Sequence, residues 1–250
     1  MPDIVVHRIM GEAVYGQLNM ALERDVFAFG LLGPDPYLFY RFYVPPFRHR
    51  INRYSSIMHR ERTGDFLSAL ARSCRGLDAF SYLAGFLCHY ALDSTTHPYI
   101  IEKAKGSAAM HLAIEHRLDV LDGGKIRIPP FLPLTMKEYV SGAIESVYGW
   151  SDAWEALEQG HKDMAPFYRI VEDKSGALDK ALGWTKAAPA MLSYNSHVCD
   201  GMDLSGFYPL CERAAEDAVR FILAASEFVY GTMDESDFRA VIGNRSYISG

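Results

Sequence analysis

Residues 85–100, GFLCHYALDSTTHPYI, and residues 108–119, AAMHLAIEHRLD, concentrate side chains of the kinds that bind metals. His89 and Asp93 are four apart, so on a helix they stack on one face, one turn from each other. His111 and Glu115 repeat that spacing. Two helices that each offer an imidazole and a carboxylate in this way can close around a hard-to-borderline divalent cation, as metal sites in helix bundles do. His97 lies four residues past Asp93 and directly before Pro98. Proline disfavours helical geometry at the preceding residue, so His97 is expected to cap the helix and point back into the same cleft. Asp119, four past Glu115, is expected to orient a ligand imidazole.

A single His/Asp pair of this kind is ordinarily a helix-surface pair worth a few tenths of a kcal/mol. Here the neighbours of His89 and Asp93 are Leu87, Cys88, Ala91 and Leu92, which predicts a buried face. An unpaired carboxylate is costly there, and a cation removes the cost.

The elements that must position these residues are helical. Apolar residues recur at three- and four-residue spacing over 9–32, 64–72, 78–92, 107–121, 136–148, 151–160 and 206–231, and strand-like alternation is scarce. Between them stand breakers: GPDP at 33–36, VPPF at 44–47, HP at 97–98 and DGGKIRIPPFLP at 122–133. The pattern predicts an all-α fold, one multi-helix domain over residues 1–250, with its ligand motifs in 1–120 and later helices completing the bundle. The final DFRAVIGNRSYISG is expected to end in a loose tail.

At 250 residues and 49% hydrophobic, the chain can bury a full-sized core. With 25 basic against 31 acidic residues it is mildly negative, which argues against a surface built to track a nucleic-acid backbone. The opening MPDIVVHRIM has neither the basic start nor the apolar core of a secretory signal, and no apolar run suggests an integral membrane segment. A cytoplasmic protein is expected. The cysteines at 74, 88, 199 and 211 form no CxxC pair and are expected to be buried thiols.

Four motifs, GLLGPDPYLFY, IMHRERTGDF, YLAGFLCHYALDSTTHPYI and HLAIEHRLD, resemble the successive motifs of the prokaryotic zinc-dependent phospholipase C family, in the family's order. The similarity is strongest over 1–120, and the family is related to trinuclear-zinc single-strand nucleases. The resemblance implies the all-α phospholipase C fold and two or three zinc ions. It gives Asp35, in GPDP, the place of the aspartate that binds metal or acts as base, and His59 that of the histidine joining it. His89 and Asp93 would complete this first zinc, with Asp93 bridging to another. His97, His111 and Glu115 would hold a second zinc, with His116 as the alternative to His97, because the Asp93-to-His97 gap is shorter than in secreted members. His7 would serve a third. Secreted members complete that site with an N-terminal tryptophan, where this sequence reads Met-Pro-Asp.

The implied chemistry is phosphoester hydrolysis: paired zinc ions acidify a bound water, Asp35 orients it or takes its proton, and the resulting hydroxide attacks phosphorus. The substrate could be a phospholipid headgroup or another small phosphodiester, with nucleic acid possible but less favoured. Arg48, Arg50 and Arg53 in FRHRINRY could hold a phosphate through their guanidinium forks. Tyr37, with Tyr82 or Tyr90, could line an apolar cleft. The competing reading is a non-catalytic helical metal-binding protein, whose site would be closed to water. A His-Asp dipeptide phosphohydrolase is disfavoured by the absence of that dipeptide, and a di-iron oxidase because such sites typically combine Glu-x-x-His motifs with more carboxylates than this histidine-rich set offers.

Overall fold

The computed structural model describes residues 4–44, 49–122, 125–171 and 199–250. Among these residues the chain forms eleven α-helices and no strand. They are α1 (Ile4–Gln17), α2 (Arg24–Gly30), α3 (Pro36–Phe39), α4 (Asn52–Met58), α5 (Thr63–Ser73), α6 (Gly76–Ala104), α7 (Ala108–Leu121), α8 (Lys137–Tyr148), α9 (Ala153–Val171), α10 (Phe207–Val229) and α11 (Glu235–Ile242). No helix among the described residues is long and apolar enough to cross a membrane.

The axis of the fold is α6. Residues 79–94 of it are buried without a break, Leu83, Leu87, Tyr90 and Leu92 among them, so this stretch lies in the interior on every side. Helices α10 and α2 pack along it most extensively, while α1, α7 and α5 cover its remaining sides. The crossing with α2 is a backbone contact: a Cβ built on Gly30 would stand 2.9 Å from the Cα of Gly85. Only glycine at both positions lets the two helices approach so closely. That contact sets the depth at which the turn after α2 enters the core.

The helix expected over 9–32 is two helices. The chain leaves α1 after Gln17 and re-enters at Glu23, whose extended backbone (ψ 113°) starts α2 and whose amide donates to Ser81 Oγ at 2.8 Å. Helix α6 in turn runs well beyond the expected 78–92 and passes through Pro98. His97 is therefore a helical residue and not a cap. Proline removes one hydrogen bond, but burial of Ile100 and Ala104 beyond it holds the helix together. The helix ends at Lys105 and Gly106, both left-handed (φ 51° and 78°), and Ser107 caps α7 by accepting from the Met110 amide at 3.2 Å. This tight reversal folds α7 back along α6. The tail is also not loose: α11 forms, and Tyr247 beyond it is fully buried.

Gly85→Val would force α2 and α6 apart. Overpacking of about 2–3 kcal/mol is expected, lowering Tm by roughly 5–10 °C in a thermal melt followed by circular dichroism. An unchanged Tm would show that the crossing does not depend on the glycine pair.

Candidate metal centre

Five parts of the chain bring imidazoles and carboxylates to one buried place. Helix α6 supplies His89, Asp93 and His97 at successive four-residue steps, all without exposed surface. Helix α1 adds His7, the turn between α2 and α3 adds Asp35, and His59 follows the last residue of α4. Helix α7 adds His111 and Glu115.

Asp93 is the hub. Its Oδ1 lies 3.2 Å from His7 Nε2, while its Oδ2 lies 3.2 Å from His59 Nε2 and 3.3 Å from His89 Nε2. His59 Nε2 is also 3.2 Å from Asp35 Oδ1. On the far side, His97 presents Nδ1 at 3.7 Å from Asp93 Oδ2 and Nε2 at 3.4 Å from Glu115 Oε1. The donor atoms fall into three groups that could each hold an ion: His7, His89 and Asp93; Asp35, His59 and His89; and His97, His111 and Glu115. His116 is in none of them, so α7 and α6 bring His97 to this cluster.

Two observations show that these residues fit zinc. Donor atoms about 2.0–2.1 Å from a tetrahedral zinc stand about 3.3 Å from one another, which is the spacing around Asp93. Furthermore, both Asp93 oxygens, Asp35 Oδ1, the Nε2 atoms of His7, His59 and His89, and both nitrogens of His97 are buried without a hydrogen-bond partner. So many orphaned donors and acceptors in one core are untenable unless a cation satisfies them. The His111 Nε2 and Glu115 Oε1 atoms, at 2.7 Å, form a hydrogen bond.

The electrostatics agree. Burial lowers the pKa of His7 and of His97, leaving neutral rings with lone pairs to offer. Burial works to lower His59 as well, but the Asp35 and Asp93 carboxylates, each 3.2 Å from its Nε2, lift it to about 9 in the absence of a cation. Burial would raise the Asp93 carboxyl, yet the surrounding imidazoles, His97 and His89 foremost, hold it well below the usual carboxylate range. Glu115 is likewise held low against its burial by His111 and His97. Both carboxylates are thus ionised at neutral pH.

A second layer of contacts aims the rings. His59 Nδ1 donates to the Ser55 carbonyl at 2.7 Å and His89 Nδ1 to the Leu31 carbonyl at 3.1 Å, which fixes both tautomers with Nε2 free for metal. His7 stacks on His89 with ring centroids 4.3 Å apart. Asp119, expected to orient an imidazole directly, accepts from the amides of Val5 and Val6 at 3.1 and 3.0 Å, and so holds His7 through the backbone of α1. Sequence reasoning missed Tyr247. Its ring lies against His59 and His89, and its amide donates to the His59 carbonyl at 2.7 Å. Nothing in the spacing of the last residues signals this.

The expected substrate residues are placed differently. Tyr37 is a core residue, with its hydroxyl donating to the Ala153 carbonyl at 3.0 Å and its ring edge-on to Tyr54. Tyr82 and Tyr90 are also buried, the latter donating to the Ile242 carbonyl. Arg50 is taken up by Asp152 at 2.6 Å on the surface, and Arg48 lies outside the described residues, as does His197. The opening next to the cluster is elsewhere: a cleft of about 490 Å³ between α1, α2 and residues 127–130, with His7 in its lining.

Gly33, left-handed at φ 52°, lets the turn bearing Asp35 lie directly on the His89 ring, where a Cβ would collide. Gly33→Ala is therefore expected to weaken zinc binding about 10–100-fold, the range for disturbed outer contacts of a metal site. Competition with a chromogenic chelator measures this, and unchanged affinity would show that His89 tolerates displacement.

No curated protein and no solved structure matches the chain. The family model described as zinc dependent phospholipase C matches residues 6–157, more than half of the chain and the stretch that carries every residue of the three groups. The chain belongs to the zinc-dependent phospholipase C family.

Proposed function

We propose that the chain is a zinc-dependent phosphoester hydrolase of phospholipase C type, acting on a phosphodiester such as a phospholipid headgroup ester. The observation that carries this reading is Asp93, whose two unpartnered oxygens face different histidine sets and so suit it to link two cation sites. In this reading Asp35, His59, His89 and Asp93 hold one zinc. His7 joins Asp93 at another, and His97, His111 and Glu115 serve the remaining site. A cleft that reaches His7 favours a catalytic over a closed structural centre.

Bound zinc supplies acidification of a water and positive charge opposite the phosphoryl oxygens. The residues do the rest. Asp35, at the rim of the cluster and 6% exposed, orients the attacking water and takes its proton. As the water oxygen bonds to phosphorus, the bond from phosphorus to the alcohol breaks, and the proton held by Asp35 passes to the departing alcohol. His59 and His89, locked through Nδ1, keep the geometry fixed during this displacement. The helices after residue 121 belong to the same domain in this reading, since α10 packs along the metal-bearing α6. A reducing, cytoplasmic setting belongs to the same proposal, resting on a cysteine pattern without CxxC pairs.

Hydrolysis of bis(p-nitrophenyl) phosphate by the purified protein is expected to stop on chelation and return with zinc. Asp93→Ala is expected to lower kcat/KM by about a thousandfold or more, the scale of losing a principal electrostatic element. Asp93→Asn, closer in shape, guards against a folding defect and is expected to lose at least one zinc per chain. Full activity in either variant would refute the reading.

A further inference from the structure

The cleft beside His7 has a composition unlike the rest of this negative chain. Its walls are apolar, from Ile4, Phe27, Leu31, Leu32 and Ile128, and its rim carries three arginines, Arg8, Arg24 and Arg127. Two carboxylates, Glu12 and Asp25, stand against them, and Glu12 is already occupied by Arg8 at 2.9 Å. Arg24 and Arg127 make no ion pair among the described residues, and Arg8 Nε is buried without a hydrogen-bond partner. At about 490 Å³ the cleft has the size of a small-molecule site.

The walls are held in place. His161 Nε2 donates to the Pro129 carbonyl at 2.8 Å, and Phe131 packs edge-on to Phe29 and Trp154. Residues 127–130 are thus tied to α2 and α9, which keeps Arg127 in the same lining as Arg24. The floor belongs to the cluster, since His7 both lines the cleft and approaches Asp93. A phosphoryl group seated at the cluster would extend its substituent into this arginine-lined cleft.

We propose that this cleft selects phosphodiesters whose alcohol portion carries a second anionic group, a phosphate above all, in place of a cationic headgroup. The inference rests on the hydrolase reading for the placement of the scissile phosphate. Guanidinium forks match phosphate oxygens, and two unpaired ones beside an apolar wall leave an anion well bound. A quaternary ammonium would need an open aromatic face. Phe27 is buried, and Arg24 already covers Tyr15, with Cζ 4.9 Å from the ring centroid.

The test uses zinc-loaded protein and three short-chain, non-hydrolysable phosphonate lipids whose headgroups are glycerol phosphate, glycerol and choline. Each offers the same phosphonate to the cluster, so calorimetric differences report the headgroup. The glycerol phosphate compound is expected to bind about tenfold or more tightly than the other two, as one well-placed charged contact allows. That preference is expected to fall below about twofold in the double variant Arg24→Met, Arg127→Met, whose exposed positions carry no core packing. Equal binding, a preference for choline, no binding, or a preference that survives in the variant would overturn the proposal. The acyl-free glycerol phosphate phosphonate distinguishes sources: retained affinity points to a soluble phosphodiester, lost affinity to a lipid. Failure of the zinc-loaded protein to hydrolyse bis(p-nitrophenyl) phosphate would remove the hydrolase reading while leaving the binding comparison intact.

Discussion

Asp93 places an ionised carboxylate in the middle of the longest helix, with no exposed surface and imidazoles from three helical segments within 3.7 Å. A buried charge with bare oxygens would cost several kcal/mol if nothing answered it. Burial keeps His7 and His97 neutral, so their rings offer it lone pairs and not full positive charge. A divalent cation would resolve the conflict, and its binding free energy would then become part of the folding free energy. The apolar jacket of α6 strengthens that bargain, because the same low-dielectric surroundings that penalise the bare carboxylate strengthen its attraction to a cation.

Much of the backbone can be understood as delivering partners to that one residue. The Gly30–Gly85 crossing lets the turn with Asp35 enter deeply, and Gly33 lets it lie on His89. The left-handed pair Lys105 and Gly106 reverses the chain so that His111 stacks over His97 with centroids 5.4 Å apart. Asp119 on α7 grips the first amides of α1, and the C-terminal segment closes over His59 and His89 through Tyr247. These contacts join residues far apart in sequence, so the centre exists only when the helices have docked. The cleft alone departs from this inward logic. Arg24 and Arg127 face solvent and leave charge unanswered, which belongs to a surface that meets a ligand.

What was legible in the sequence follows the range of the interactions. The His89/Asp93 and His111/Glu115 pairs could be read from helical spacing, since both partners lie on one element. Asp35, His59 and His7 have no local signature, and only the family motifs pointed to them. Pro98 misled the reading at His97, because local proline chemistry yielded to burial on both sides of it. Tyr37 lies in the core, and the sequence leaves that open for a related reason: aromatic crowding near GPDP looks the same whether that ring lines a cleft or fills the interior. Arg8, Arg24 and Arg127 come from three separate segments, and their convergence is a property of the tertiary fold alone.

The central claim is that Asp93 joins two cation sites. Anomalous diffraction from crystals of the purified protein, collected on both sides of the zinc absorption edge, tests it directly. The account predicts separate zinc peaks beside Oδ1 and Oδ2 of Asp93, the first shared with His7 and the second with His59 and His89. An Asp93 surrounded only by hydrogen-bonded imidazoles or water, with no zinc peak on either oxygen, would contradict it.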